Sequence, residues 1–193
     1  MRSLEGNPSA YSWRGLRVCG VAAVASVMFV VLAAGWAATN VAAAGPSSTS
    51  DPQSVAFLGV RFINDNEGLE PTTDAERARL KKIEQIFTMQ LEDSGRYRLV
   101  AVSSAIEARI AAGQPIGECG GCEIKLGKEL GAALIAWINI QKVSNLILNM
   151  NVYMADVASE KMTFVRSVDI RGNTDESWSR SLNYLLKNYL LAP

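Results

Sequence analysis

Apolar and polar residues follow each other along this chain in rhythms that change from segment to segment. Ser54 to Phe62 is a short, nearly continuous apolar run, the pattern of a strand buried on both faces. Ile63 to Pro71 holds Asn64, Asp65, Asn66 and Gly68 and reads as a loop. Thr72, Thr73 and Asp74 can each cap a helix, and Leu80, Ile83, Phe87 and Leu91 then recur at helical spacing until Gly95. Tyr97 to Val102 is the next strand. Ser103 or Ser104 opens a short helix through Ala112, with Glu107 placed three after Ser104 as in a capping box.

Gln114 to Gly121 is a turn-rich loop, and Cys122 to Leu130 should be a helix that ends at Gly131. Three strands follow in quick succession, Leu134–Gln141, Leu146–Val157 and Met162–Ile170, joined by tight connections at Val143-Ser-Asn145 and Ala158-Ser-Glu160. Asn173 with Glu176 forms a capping pair for a last helix, whose apolar stripe is Trp178, Leu182, Leu185 and Tyr189. The order is β-α-β-α-α-β-β-β-α. Early strands separated by helices and late strands joined by hairpins predict an α/β fold, a mixed β-sheet flanked by helices.

A different rhythm precedes all this. Arg14 and Arg17 stand before a long apolar stretch, Val18 to Ala38, which ends in Val41-Ala42-Ala43-Ala44 before Gly45-Pro46. A basic start, an apolar middle and small residues before a cut after Ala44 mark residues 1–44 as a secretory leader. Left uncleaved, the same stretch is long enough to anchor the chain in the inner membrane, with the domain still outside. Residues 45–53 are then a polar tether, and residues 54–193 a single exported domain in the periplasm.

Charge narrows the partners. Arg2, Arg14 and Arg17 of 19 basic residues, and Glu5 of 19 acidic ones, fall within the leader, so the exported part carries about −2. No block of like charge interrupts it, which argues against nucleic acid, and membrane contact is expected only through the N-terminal segment. The chain has no histidine at all. That removes Ser-His and Cys-His nucleophile pairs, and two cysteines without histidine cannot build a tetrahedral zinc site. No metal, cofactor or catalytic residue is expected. Asp65, Glu67, Glu70 and Asp74 lack the spacing of an EF-hand.

Two features remain as candidate sites. Cys119-Gly-Gly-Cys122 is either a disulfide that stiffens a glycine-rich turn or, with Cys122 opening a helix, a thiol–disulfide redox pair. The second is a polar sheet face. Turning the first hairpin on Val143 to Asn145 sets Asn139 opposite Asn149 and Trp137 opposite Asn151. Ser167 and Asp169 of the next strand fall beside Asn151 and Asn149, and Ile138, Ile140, Leu148, Met150 and Val152 take the other face. This face is a binding surface for a partner or a small polar ligand, or it is merely solvated, or it is covered by a helix whose backbone the amides satisfy.

The Asp93-Ser-Gly-Arg-Tyr-Arg-Leu-Val100 stretch before a short helix, and Leu126-Gly-Lys-Glu-Leu-Gly-Ala-Ala-Leu-Ile135 before a hairpin, are similar to the amino-terminal domain of the Tol-Pal translocation protein B. They also resemble curli secretion protein G and the outer-membrane lipoprotein activators of peptidoglycan synthases. Cys119-Gly-Gly-Cys122, Lys142-Val-Ser-Asn-Leu-Ile-Leu-Asn149 and Arg171-Gly-Asn-Thr-Asp-Glu-Ser-Trp178 look like a proteobacterial exported family of unknown function. The resemblance implies a non-enzymatic accessory domain that docks onto an envelope protein. It transfers no site residue.

Overall fold

The computed structural model describes residues 51–193, so the leader expected over residues 1–44 and most of the tether lie outside the described residues. The elements are β1 (Gln53–Asn64), α1 (Asp74–Asp93), β2 (Tyr97–Val100), α2 (Ser104–Ala112), α3 (Cys122–Leu130), β3 (Leu134–Lys142), β4 (Ile147–Asp156), β5 (Lys161–Arg171) and α4 (Asp175–Leu185). That is the order expected from the sequence. The strands form one sheet in the order β2-β1-β3-β4-β5. β1 runs parallel to β2 and β3, and β3, β4 and β5 are antiparallel, so the sheet is mixed. Crossovers through helices produce the parallel pairs and hairpins the antiparallel ones.

Alternate residues of each strand point to opposite faces, and the helices divide accordingly. On one face, Ile83, Phe87 and Leu91 of α1 and Trp178, Leu182 and Leu185 of α4 share a core with Phe57, Ala136, Ile138, Ile140 and Met150. On the other, Ile106 of α2, Leu126 of α3 and Ile116 between them pack with Ala56, Leu58, Ile135 and Trp137. α3 comes closest at Gly127, where a Cβ would stand 2.6 Å from both Ile135 Cγ2 and Val157 Cγ2. No side chain fits there. This second cover is partial. Asn149 and Asn151 of β4 are only half-buried, and Val165, Ser167 and Asp169 of β5 are exposed.

Three details differ from the sequence expectation. The first is the β3–β4 register, in which Asn139 faces Asn151, Gln141 faces Asn149 and Trp137 faces Tyr153. Val143 N–H still bonds Ile147 O at 3.1 Å, so the hairpin is centred on Asn145 rather than Ser144. Moving the centre by one residue moves the pairing by two and leaves every side chain on its assigned face. β4 and β5 pair as expected, Asn149 with Asp169 and Asn151 with Ser167.

The second difference is in the caps. Thr174, not Asn173, caps α4, exchanging bonds with Ser177 in a capping box. Ser103 caps α2 by accepting from Ile106 N–H, which places Glu107 one position beyond the place a box requires. The third is the end of α4. Leu186–Leu190 make a π turn, closed by Leu191 N–H to Leu186 O at 2.8 Å. The wider turn advances the inward positions, so Leu186 and Leu190 are buried while Tyr189, expected in the stripe, is exposed.

Candidate functional site

The connection from α2 to α3 is closed by the Cys119–Cys122 disulfide, whose Cα atoms are 5.5 Å apart. Ile116 of this loop packs with Trp137. A Cβ at Gly117 would stand 3.0 Å from Trp137 Nε1, so the loop backbone lies close over the indole edge. Trp137 is 4% exposed and stacks on Tyr153, with ring centroids 5.1 Å apart and planes inclined by 11°. The loop therefore roofs one end of the sheet face. Beyond it the face is open.

Under the edge of that roof is a cavity of about 300 Å³, walled by Leu58, Ile110, Pro115 and Ile116, with Trp137 and Asn139 on its sheet side. Trp137 Nε1 and Asn139 Oδ1 are both shielded from solvent and have no hydrogen-bond partner; among the described residues they are the two buried side-chain atoms in that condition. Leaving a buried polar group unpaired costs about 1–3 kcal/mol, so two of them, two residues apart on β3, mark this end of the sheet face. β1 contributes an irregularity at the same place. Its register against β3 shifts between Phe57 and Val60, and Gly59 there has φ of +102°, a backbone conformation that other residues adopt only with strain. Just past the bulge, Arg61 donates to Glu118 Oε1 at 2.6 Å and ties the strand to the loop across the rim. Both partners are substantially exposed, so this pair orients the rim and adds little stability.

The sequence-derived polar face thus separates into two parts. Trp137 and Asn139 line the cavity. Asn149, Asn151, Ser167 and Asp169 lie on the open part. There Ser167 Oγ donates to Asn149 Oδ1 at 2.9 Å, and Asn149 Nδ2 reaches Val168 O at 3.3 Å and Asp169 Oδ1 at 3.5 Å. At the disulfide, a Glu123 carboxylate oxygen lies 3.0 Å from Cys119 Sγ. A disulfide sulfur carries no proton, so this is a contact and not a hydrogen bond. Cys119, Cys122 and Glu123 are grouped closely enough for a metal, but sulfurs bonded to each other offer no thiolate ligand.

Sequence reasoning missed a polar cluster on the opposite face. Glu76 is 0% exposed and Lys142 2% exposed, and Lys142 Nζ stands 2.9 Å from Glu76 Oε1. Asn173 Nδ2 donates to the same oxygen at 2.7 Å, while the Thr73 amide and hydroxyl donate to Oε2 at 2.7 and 2.9 Å. Asn173 in turn accepts from Trp178 Nε1 at 3.1 Å and from Arg79 at 3.0 Å. Burial alone would raise the Glu76 pKa. The Thr73 amide, Lys142, Asn173 and the Thr73 hydroxyl outweigh it and hold the carboxyl at about 2. The visible half of this cluster was the Thr73-x-x-Glu76 capping box, and the hidden half was its meeting with Lys142 and Asn173. With Glu76 and Lys142 closed to solvent and paired at its centre, it clamps β3, α1 and α4 together.

Over residues 53–190 the sequence matches DUF3280, described as a protein of unknown function (DUF2380). The chain belongs to that family. No curated protein matches it. Among solved structures, this DUF3280 domain is similar to the LpoB C-terminal domain from Salmonella enterica, at 12% identity and a TM-score of 0.44, covering 65% of this chain and 87% of that one. It is similar to lipoprotein GNA1162 from Neisseria meningitidis, at 13% identity and 0.46, covering 72% and 99%. It is also similar to TolB from Acinetobacter baumannii, at 15% and 0.41, covering 69% and 28%. What the DUF3280 domain does has to be read from its own residues. No helix among the described residues is long and apolar enough to cross a membrane.

Proposed function

We propose that this is an exported domain of the bacterial envelope that acts by docking a protein partner, not by turning over a substrate. The observation that carries the reading is the half-open sheet. α2 and α3 stop short of Asn149–Asn151 and Val165–Asp169, and β5, eleven residues long, ends the sheet with Met162 and Val165 exposed. An edge strand offers a row of free N–H and C=O groups to an incoming chain. A face rich in amides, with a few apolar side chains along its border, suits a separable partner better than a permanent subunit.

Supporting lines come from chemistry and compartment. A chain without histidine lacks the usual groups for acid–base catalysis near neutral pH. Residues 1–44 with the tether 45–53 support export to the periplasm, and the Cys119–Cys122 bridge suits that oxidising compartment. A redox role for the pair is weakened by Glu123, since a carboxylate 3.0 Å from Cys119 Sγ disfavours the thiolate that exchange requires.

Cross-linking in envelope fractions tests the proposal. The wild-type chain is expected to capture one specific envelope protein, and the Met162→Asp, Val165→Asp double variant to lose it while melting normally. No specific capture, or capture that ignores the double variant, would sink the reading.

A further inference from the structure

We infer that the end of the sheet opposite Gln53 docks a segment of a partner protein in which aliphatic side chains stand beside Lys or Arg. Leu69, Leu146 and Ile147 are 88%, 75% and 61% exposed, the most exposed large apolar side chains among the described residues, and Val143 joins them at 49%. Single apolar side chains on a surface are ordinary, but a group of four at one place is not. The backbone holds the group together. Val143, Leu146 and Ile147 belong to the β3–β4 turn, where Ile147 O accepts from the Val143 and Ser144 amides, each at 3.1 Å. The β1–α1 loop that carries Leu69 is strapped to this turn. Asn66 Nδ2 donates to Val143 O at 2.9 Å, and Asn145 Nδ2 to Glu70 Oε2 at 3.2 Å. Beside the turn, a cavity of about 370 Å³ is lined by Leu146, Ile147, Leu148, Ile170, Asp169 and Arg171. It has room for an apolar side chain, with Asp169 in its lining to meet a neighbouring cation.

Charge selects the occupant. Asp65 accepts from Gln141, Glu67 from Thr72 and Asn64, and Asp169 from Asn149, all neutral donors. Lys142 is buried and shared between Glu76 at 2.9 Å and Glu70 at 3.6 Å, which leaves little of its charge for the surface. Arg171, across from Ile147, is outnumbered. An apolar patch rimmed by carboxylates repels an anionic lipid surface and favours a basic partner. The chain also enters the sheet at Gln53, at the other end of the twelve-residue β1 and roughly 36 Å away along the strand. A membrane anchor preceding the tether would therefore join the domain at the end away from this patch.

Only the choice of a protein as occupant rests on the docking reading; this surface is apart from the exposed Met162 and Val165 of β5, and the two can fail separately. The full chain, immobilised, is panned against a displayed library of random dodecapeptides, with counter-selection on the Leu69→Ser, Leu146→Ser, Ile147→Ser variant. These side chains are exposed, so the variant should melt with the wild type. The retained peptides are expected to combine aliphatic residues with Lys or Arg and to bind the triple variant about tenfold more weakly. Asp65→Asn with Asp169→Asn should weaken them about threefold to fivefold and reduce the salt dependence of binding. An empty selection, neutral or acidic peptides, or binding indifferent to the triple variant would overturn the inference. So would binding to phosphatidylglycerol vesicles that the triple variant loses, since the patch would then serve a membrane. Partner capture that Met162→Asp, Val165→Asp abolishes, alongside an empty selection, would leave docking at β5 in place and remove only this site.

Discussion

The domain buries two tryptophans, one on each face of the same sheet, and treats them in opposite ways. Trp178 is 1% exposed, and its N–H is taken by Asn173, which is itself held against Glu76 and Arg79. Trp137 is 4% exposed, and its N–H meets nothing. Around Trp178 every polar group is answered and two helices close the layer. Around Trp137 the cover is one glycine-rich loop, and polar capacity is left unspent. A polar group that is buried and answered makes a packed junction rigid and unique. The same group buried and unanswered is a weakness unless something arrives to complete it. The contrast separates the face that holds the fold from the face that is free to do something else.

The largest effect should come from the face around Trp178. Trp178→Ala removes the biggest fully buried side chain and is expected to lose about 3–5 kcal/mol in urea unfolding. Acid attacks the same face through Glu76. Its folded pKa of about 2 lies below the ordinary 4.5, so its contribution is complete above about 4.5 and fades as pH falls toward 2. The loss should be on the order of 3 kcal/mol, and Glu76→Gln should flatten that part of the stability–pH curve. Asn173→Ala is next, at about 1–3 kcal/mol, because it strips a partner from both Trp178 and Glu76. A helix cap alone would be worth about 1 kcal/mol, so a loss at the upper end supports the bridging role. The smallest effect is on the other face. Trp137→Phe deletes an unanswered donor and should leave the unfolding midpoint within about 0.5 kcal/mol of wild type. A large loss there would erase the contrast between the two tryptophans.

Much of this was legible in the sequence, and the part that was not has a common cause. The stripe Ile83, Phe87, Leu91 and the alternation Ile138, Ile140, Leu148, Met150, Val152 are local periodicities, and both ended up in the core. Trp178 was legible as an anchor for the same reason. What failed depended on a single residue of offset or on distant meetings. Asn145 rather than Ser144 centres the hairpin, Thr174 rather than Asn173 caps α4, and the π turn trades Tyr189 for Leu186 and Leu190. Such offsets fall within the energy difference between neighbouring polar residues and leave no trace in a hydrophobic pattern. The Lys142–Glu76 pair and the loop over Trp137 join segments far apart in the chain, and no periodicity reports such contacts. Trp137 and Asn139 were visible as a pair on one face. That their polar atoms would be shut away from water was not.

Gly127 lies on α3, apart from the cavity and the disulfide, yet it governs both. Ile135 and Val157 leave no room for even a methyl group there, so Gly127→Ala forces α3 outward. Cys122 is the first residue of that helix, and the bridge to Cys119 couples it to the loop above Trp137. The helix therefore works as a spacer of fixed thickness, and the height of the roof is written into the contact between one glycine and the sheet. In a library of variants selected only for partner binding, changes at Gly127 should emerge although this residue lies away from the open face.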